Sequence, residues 1–406
     1  MKLRLRRLQA ISLLQFLLLY SLSPAQTKTL RVFLADPATL SAVRSACMAN
    51  EPSFRPAFKR LIKDADKLLD AAPVSVMEKS QVPPSGDKHD YLSLGRYFWP
   101  DPEKPDGLPY INRDGETNPE AATLPDHGNL SRMVSAVHTL ALAYFMTGKD
   151  SYAEHASRFV RTWFLDSATR MNPNMNFAQG VKGKVAGRTS GVLDARAFAR
   201  VIDGVGMLAG YRGWSDKDQQ RLTQWFNQYL DWMLTSKNGM GEAKSTNNHG
   251  VWYDVQASSI ALFVGNQDVA RRILEGAKMQ RIGKQIEPDG TQPRELARTT
   301  SQHYVAFNLE AFFALAAIGG NAGVDLWNYT TEDGRSIRKA LDWVLPFVRG
   351  EKEWMYKQIN KFDAAAYYPL LLEASARYND PSYAELAWKL KGAQGISDRI
   401  HLLIGK

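Results

Sequence analysis

Two short segments carry the side chains best suited to chemistry on a charged sugar. The first, residues 245–253, holds Asn248 and His249 at the start of a predicted helix. Thr246 or Asn247 can cap that helix, and the free N–H groups and dipole of a helix N-terminus favour an anion. Further candidates for substrate contact lie one helical turn later, where residues i and i+4 share a face: Trp252 and Tyr253.

The second segment, residues 294–304, holds a guanidinium and a phenol. Thr300 or Ser301 can cap the next helix. Arg298 then lies in the loop before that helix, and Tyr304 lies in its first turns. On one continuous helix these two side chains would point about 240° apart, whereas a helix that begins between them lets both contact one ligand. The same turn offers one more candidate for substrate contact, His303.

Each segment also has a purely structural explanation. An Asn-Asn-His run can simply cap a helix, and a tyrosine in an apolar helix is most often part of the core. Together, however, the two segments supply an amide, an imidazole, a guanidinium and a phenol at helix starts. This combination predicts a site for an anionic ligand.

Two long stretches interrupt the helical pattern. Residues 81–127 contain eight prolines and several aromatic residues. A loop of this length is usually functional or disordered, and the aromatic content favours an ordered wall of a cleft. Residues 172–190 are polar and glycine-rich, which is typical of a mobile lid. The substrate-binding candidates in these stretches are Trp99, Tyr110, Arg113, Asn176, Gln179 and Arg188.

From residue 129 onward the apolar residues recur with a helical period. The predicted helices are Asn129–Thr147, Ser151–Phe164, Val192–Tyr211, Asp216–Leu234, Val251–Val264, Val269–Ile282, Gln302–Ile318, Ser336–Val348, Ala364–Tyr378 and Tyr383–Lys391. Short connections between them make neighbouring helices antiparallel. The best strand signal is Thr29–Leu34, which would pack the N-terminus onto the body.

A weak internal repeat supports this architecture. Residues 143–154 resemble residues 376–385, and residues 262–268 look like a degenerate third copy. Repeated helical hairpins indicate either an open solenoid or a closed α/α toroid. We expect the toroid: an all-α fold, an incomplete (α/α) barrel of antiparallel hairpins, with long N-terminal loops lining the cleft.

Residues 1–25 have the pattern of a signal peptide. Four basic residues precede an uncharged apolar run from Leu8 to Leu22, and small residues at 23–25 suit cleavage. The run is shorter than the ~20 residues of a membrane span. We therefore predict one toroid domain over residues 26–406 that is periplasmic or secreted, with no stable membrane association after cleavage.

Composition narrows the ligand class. The chain has a net charge of +9 and 44% hydrophobic residues, which excludes global disorder and fits an acidic polysaccharide partner. No basic run or recognised motif after residue 7 supports nucleic-acid binding. The only cysteine is Cys47, and no histidine pair has the spacing of a zinc site. We expect no metal and no cofactor.

These residues carry a resemblance to a known family. The run Asn247-Asn248-His249, followed by Trp252 and then by Arg298 and Tyr304 about 55 residues after the histidine, resembles the alginate lyase superfamily. The similarity is closest to polysaccharide lyase family thirty-eight and more distant to family five.

The resemblance covers the chain from about Pro52 to Tyr378 and includes the aromatic, proline-rich stretches at 97–102 and 108–119. It implies an incomplete α/α toroid that cleaves uronic-acid polymers by β-elimination without a metal. The polymers in question are alginate, polymannuronate or, as a further option, glucuronan. The same resemblance gives Asn248, His249, Arg298 and Tyr304 the catalytic roles.

β-Elimination removes the C5 proton of a 1,4-linked uronate and expels the oxygen at C4. The site must neutralise the adjacent carboxylate, for which Asn248, His249 and Arg298 are suitable donors. A free tyrosine has a pKa of about 10, so we expect Arg298 to supply the charge that lets Tyr304 act as a base. Tyr304 can also protonate the leaving oxygen in a syn elimination on mannuronate. For the C5 epimer, His249 would be the base and Tyr304 the acid.

Two other functions stay open. A glycoside hydrolase needs two carboxylates about 5–9.5 Å apart, and the candidates are Asp194, Glu242, Asp254 and Glu295. A non-catalytic periplasmic glycan-binding protein would keep the aromatic wall and the basic cleft, but it has no need for a tyrosine beside an arginine and a histidine.

Overall fold

The computed structural model describes residues 30–405, so the predicted signal peptide lies outside the described residues. The described chain is mostly helical and has only short strands, as predicted. Its helices are α1 (Pro37–Met48), α2 (Arg55–Leu68), α3 (Asp126–Thr147), α4 (Asp150–Val160), α5 (Phe198–Met207), α6 (Asp216–Thr235), α7 (Lys237–Ala243), α8 (Asn248–Val264), α9 (Gln267–Ala277), α10 (Gly283–Gln285), α11 (Pro293–Leu296), α12 (Ser301–Asn321), α13 (Ile337–Val348), α14 (Tyr368–Tyr378), α15 (Pro381–Lys391) and α16 (His401–Ile404).

The strands are short and belong to the two long loops. Strand β1 (Leu92–Leu94) pairs in parallel with β4 (Phe177–Gly180), and β2 (Phe98–Trp99) pairs antiparallel with β3 (Ile111–Asn112). The first pair joins the 81–127 stretch to the 172–190 stretch. The two stretches therefore form one ordered wall.

Inner and outer helices form two layers. The inner helices α8 and α12 are buried around most of their circumference, whereas outer helices such as α9 bury only one side. A helix that is apolar all round must lie inside, and an amphipathic one covers it. Neighbouring inner helices contact each other in the order α3, α5, α8 and α12, which gives the curved wall of an incomplete α/α toroid.

The first and last helices of the described chain lie at the opening of the ring. Helix α16 contacts α14, α1 and α2, and α1 and α2 in turn contact α3. These terminal helices are not part of the hairpin series, and they pack irregularly between α14 and α3. Among the described residues, no helix is long and apolar enough to cross a membrane.

The internal repeat marks three equivalent helical turns. Gly148, Gly265 and Asn379 each follow an inner helix and each has a left-handed backbone conformation. This conformation closes the last helical turn and sends the chain back along the outer layer. The repeated sequence is therefore the signal of a repeated helix ending.

The predicted strand at the N-terminus is wrong for its described part, residues 30–34. Here the backbone N–H groups of Phe33, Leu34 and Ala35 donate to the buried carboxylate of Asp203 on α5, at 2.7–3.0 Å. A carboxylate that accepts three backbone donors replaces a strand partner. The N-terminus packs onto the body as expected, by a different hydrogen-bond pattern.

Other differences concern helix boundaries. The predicted helix Val192–Tyr211 is a 3-10 segment, Thr189–Ala195, followed by α5. The predicted Val269–Ile282 helix changes to a π-helical turn after Ala277. Helices α1 and α2 were not predicted.

Candidate active site

The start of α8 presents the first catalytic candidate. Asn247 caps the helix by accepting the N–H of His249 at 3.3 Å, as predicted. The buried Glu242, on α7, accepts a hydrogen bond from Nδ1 of His249 at 2.6 Å. A carboxylate on Nδ1 fixes the ring orientation and leaves Nε2 as the basic nitrogen of the neutral imidazole.

Close packing requires a glycine after this histidine. A Cβ at position 250 would collide with the carbonyl oxygen of Ser245 and with the guanidinium of Arg281. Arg281 donates to that same carbonyl at 2.7 Å and forms a buried ion pair with Asp254. The first turn of α8 is thereby held tightly against the α7–α8 connection.

Asn248 does not have the exposed position predicted for a substrate donor. Its side chain is fully buried, and its backbone N–H and Nδ2 donate to Glu295 at 2.6 and 2.7 Å. Burial raises the pKa of Glu295, while the bonds from Asn248 and the charges of Arg298 and His249 oppose that shift. Through Glu295, Asn248 therefore links the candidate segment 245–253 to the candidate segment 294–304.

Arg298 and Tyr304 converge as predicted. Arg298 lies between α11 and α12, and its guanidinium carbon is 3.6 Å from the centroid of the Tyr304 ring. Its Nε also donates to Asp114 at 3.0 Å, and Thr299 donates its backbone N–H to the same carboxylate at 3.0 Å. Although burial opposes ionisation, these bonds hold the pKa of Asp114 at about 2.

Arg298 lowers the pKa of Tyr304, as predicted, but other effects outweigh it in the described structure. Burial and the hydrogen bond to Tyr97 raise the pKa of Tyr304 above its ordinary value, and Arg298 opposes this only in part. Arg298 is already neutralised by Asp114, so its field at the phenol is weakened. The Tyr304 hydroxyl donates to that of Tyr97 at 3.1 Å and is a protonated acid at neutral pH.

Arginines that were not predicted line the same region. Arg196 lies over the rings of Trp252 and Phe307, at 5.9 and 5.2 Å. The exposed His303 stacks on Phe307, with ring centroids 5.8 Å apart. Desolvation, together with Arg96, Arg298 and Arg196, lowers the pKa of His303, so its ring is neutral at neutral pH. The cluster forms a basic surface with aromatic faces.

A hydrogen-bond network connects the two loops behind this surface. Gln179 donates to Asp194 at 2.7 Å and accepts from Arg188 at 2.7 Å, and its own φ of 51° is left-handed. Burial disfavours the Asp194 carboxylate, but bonds from His127, Gln179 and Ser93 hold its pKa at about 2. A cavity of about 330 Å³ beside this network is lined by Arg96, His127, Gln179 and Asp194, among others.

The hairpin of β2 and β3 carries the predicted aromatic wall. The Arg113 guanidinium lies 5.4 Å from the Trp99 ring, whose Nε1 donates to the Glu116 carbonyl at 3.0 Å. Tyr110 donates to Glu120 at 2.7 Å. All three predicted side chains are half-buried in this wall, so each has one face that a sugar could reach.

Of two further substrate-binding predictions, Tyr253 does not fit its observed position, and Asn176 is exposed. Tyr253 is buried between α8 and α6, where its hydroxyl donates to the Met233 carbonyl at 2.9 Å. Asn176 accepts a hydrogen bond from Trp232 of α6 at 2.9 Å. Tyr253 therefore stabilises the scaffold, whereas the exposed Asn176 stays a candidate for substrate contact.

The 172–190 stretch is not a free lid over its whole length. Asn172 donates to Asp90 at 2.9 Å, Gln179 is held by Asp194, and the Tyr110 N–H donates to the Lys182 carbonyl at 3.0 Å. Only residues 182–186 are exposed in succession. Within this tip, Lys182 is held by Tyr110 and Glu120, so residues 183–186 are the exposed part beyond these anchors.

The four carboxylates proposed for a hydrolase all form hydrogen bonds or ion pairs with other residues. Asp194 accepts several hydrogen bonds, Asp254 pairs with Arg281, Glu295 binds Asn248, and Glu242 binds His249. None is a free carboxyl that could protonate a glycosidic oxygen. Among residues 30–405, no group of three or more His, Cys, Asp or Glu side chains could hold a metal ion.

The fold and the site define the class of protein: an incomplete α/α toroid whose basic cleft holds an imidazole, a phenol and a guanidinium at helix starts. A sequence profile of the alginate lyase family matches residues 75–354, and the chain belongs to this family. It is therefore a polysaccharide lyase.

Solved structures agree with this assignment. The chain is 39% identical to an alginate lyase from Bacteroides ovatus, with a TM-score of 0.88 over 92% of this chain and 99% of the other. A histidine-to-alanine variant of alginate lyase A1-III, complexed with a tetrasaccharide, is 18% identical with a TM-score of 0.60, over 94% of this chain and 98% of the other, and shares the fold. A search of curated protein sequences gave no match.

Proposed function

We propose that this lyase cleaves alginate or a related β-1,4-linked polyuronate by β-elimination, with His249, Tyr304 and Arg298 as the reacting groups. The observation that carries the proposal is geometric: His249 is oriented by Glu242, and the centroid of the Tyr304 ring lies 3.6 Å from the guanidinium carbon of Arg298. Glu242 leaves a basic Nε2 on His249, and burial keeps a proton on Tyr304. One base and one acid are what an elimination needs.

The reaction balances without water. A base takes the C5 proton, the C5–H electrons form the C4–C5 double bond, and the C4–O bond breaks as the leaving oxygen receives a proton. Arg298 supports this step by binding the uronate carboxylate with donors that Asp114 does not occupy. His249 as base with Tyr304 as acid suits the epimer whose C5 proton and leaving oxygen lie on opposite faces.

The syn route on mannuronate makes a further demand. Tyr304 must lose its proton to solvent before it can act as the base, and the hydroxyl of Tyr97, 3.1 Å away, can then turn to donate a hydrogen bond to the phenolate. Charge from Arg298 would assist this step if substrate draws Asp114 away from it. We therefore propose that Tyr97 takes part in the syn route only.

The aromatic wall and the basic cluster are proposed to hold the flanking sugars. Trp99, Arg113 and Arg188 offer a ring face and guanidinium groups on one side. The exposed His303 offers its ring on the other, whereas Trp252 is buried beneath Arg196. The carboxylates of a polyuronate would meet Arg96 and Arg196, which have no acidic partner among the described ion pairs.

The chemical nature of the reaction products tests this proposal. Purified protein is incubated with polymannuronate, polyguluronate and glucuronan, and unsaturated ends are followed by ultraviolet absorbance and reducing sugar by a chemical assay. We expect absorbance and reducing ends to rise together on at least one polymer. Reducing ends without absorbance would contradict the lyase mechanism.

We also propose that the protein is exported, because residues 1–25 have the pattern of a signal peptide. Cell fractionation with antibody detection tests this proposal. Full-length protein confined to the cytoplasm would contradict it.

A further inference from the structure

The loop of residues 349–362 lies directly against the second catalytic segment. Its Ile359 N–H donates to the Thr299 carbonyl at 2.9 Å, and the side-chain oxygen of Gln358 accepts the N–H of Gln302 at 3.0 Å. Thr300 gives α12 no side-chain cap, so this loop supplies the cap instead. The 349–362 loop is thus part of the frame that fixes the first turn of α12.

This loop exposes several apolar side chains that do not take part in capping α12. Met355 is 90% exposed, Ile359 is 52% exposed and Tyr356 is 36% exposed. The Tyr356 ring is supported from behind by Trp343 and Trp354, with centroids 5.8 and 5.3 Å away. A ring that is held in place but open on one face loses little conformational entropy when a ligand covers it.

Charge gives this surface a preference for anions. Lys357 and Lys361 are exposed on the same loop, and neither forms an ion pair with any other residue in the described part of the chain. The same loop carries Glu351 and Glu353, and neither forms an ion pair with Lys357 or Lys361 among the described ion pairs. Unpaired lysines beside an exposed aromatic ring suit a sugar that carries a carboxylate.

The surface is continuous with the cleft. Ile359 lies against the Gly115 turn, so that a Cβ at Gly115 would be 3.0 Å from its Cδ1. The neighbouring Asp114 is the carboxylate that binds Arg298. Residues 357–359 pair with residues 299–301, directly after Arg298, so this loop borders the segment that carries the guanidinium.

We propose that the 349–362 loop is a distal binding site for the uronate chain beyond the cleavage site. Tyr356 packs against the face of a sugar ring, and Lys357 and Lys361 pair with uronate carboxylates. The site lengthens the stretch of polymer that the enzyme holds. This inference rests on the proposed function, because it assigns the same polymer to a second surface.

The test compares long and short substrates. In a Lys357→Glu/Lys361→Glu variant, we expect KM to rise about 5- to 20-fold on a long polyuronate and less than twofold on an oligomer too short to reach the loop. The effect on the long polymer should shrink at high salt, because exposed charges are screened. Lys59→Glu on α2, a charge reversal at another exposed lysine, should change neither KM.

A second variant separates binding from folding. Tyr356→Ala should show the same selective loss on long chains, and a melting curve shows whether the loop has kept its packing. An equal KM rise on both substrates, or no rise on either, would overturn the distal site. A wild-type protein that releases no unsaturated ends from any polyuronate would instead overturn the proposed function. In that case, binding of long and short chains to the Lys357→Glu/Lys361→Glu and wild-type proteins still decides whether the loop binds polyuronate.

Discussion

Replacing Glu242 by glutamine tests how the active site controls its base. Glu242 is fully buried and accepts the Nδ1 hydrogen of His249 at 2.6 Å. Glutamine has the same shape, but its amide can present N–H groups to the ring and so favour the wrong tautomer. The proton would then sit on Nε2, where the base is needed.

The magnitude follows from the strength of this bond. A hydrogen bond to a charged group contributes about 1.5–3 kcal/mol, and each 1.36 kcal/mol changes a rate tenfold. We therefore expect Glu242→Gln to lower kcat roughly 10- to 100-fold with little change in KM. The assay is the initial rate of ultraviolet absorbance on polyuronate, together with a melting curve to show that the fold is intact.

A double-mutant cycle sharpens the result. In a His249→Ala background, Glu242→Gln should cost almost nothing further, because its only catalytic effect passes through that ring. Ser245→Ala, which removes a weaker 3.3 Å bond to the same carboxylate, serves as the control and should change kcat less than twofold. A loss below threefold in the single Glu242→Gln variant, or full additivity in the cycle, would refute the reasoning.

Four further predictions concern the neighbouring groups. Tyr304→Phe should abolish turnover on every polymer while oligosaccharide binding persists in calorimetry; more than a tenth of wild-type turnover would remove the phenol from its role. Because the pKa of Tyr304 is raised, the acid stays protonated and kcat/KM should not fall with pH up to about 10; an earlier decline assigned to Tyr304 would contradict the pKa direction. Trp99→Ala should raise KM more than it lowers kcat, whereas a large loss of melting temperature with unchanged KM would make Trp99 an anchor of its hairpin. Activity should survive prolonged treatment with a strong chelator; loss restored by one divalent ion would favour a metal-neutralised carboxylate.

Local features of the site were predictable from the sequence. The Asn247 cap, the helix start between Arg298 and Tyr304, and the three left-handed helix ends depend on a few neighbouring residues. The same local signals predicted the helical hairpins, and the repeat of these hairpins predicted the toroid. Such signals are readable because capping and turn chemistry act over one or two helical turns.

Contacts between distant segments could not be read in this way. The bond between Asp114 and Arg298 joins residues 184 positions apart, and it changes the expected chemistry of Tyr304. Glu242 could have been suspected from its position seven residues before His249, but its orientation depends on how α7 packs. Such hydrogen-bond partners can be identified only in the folded structure.

Helix α8 shows why the predicted orientations of some side chains were wrong. Because nearly all of its residues are buried, polar and apolar alike, its periodicity does not indicate which side faces the cleft. Tyr253 therefore looked equivalent to Trp252, although it points to α6 and binds a carbonyl there. Arg196 was missed because a short 3-10 segment interrupts the predicted helix just before it.

The most direct test of the central claim is mass spectrometry and ultraviolet absorbance on the products of wild-type and Tyr304→Phe protein acting on a defined oligouronate. We predict that the wild type releases a fragment with an unsaturated, absorbing non-reducing end, lighter by one water than the hydrolysis product, and that the variant releases none. Saturated fragments from the wild type, or unsaturated fragments at an undiminished rate from Tyr304→Phe, would contradict β-elimination by these residues.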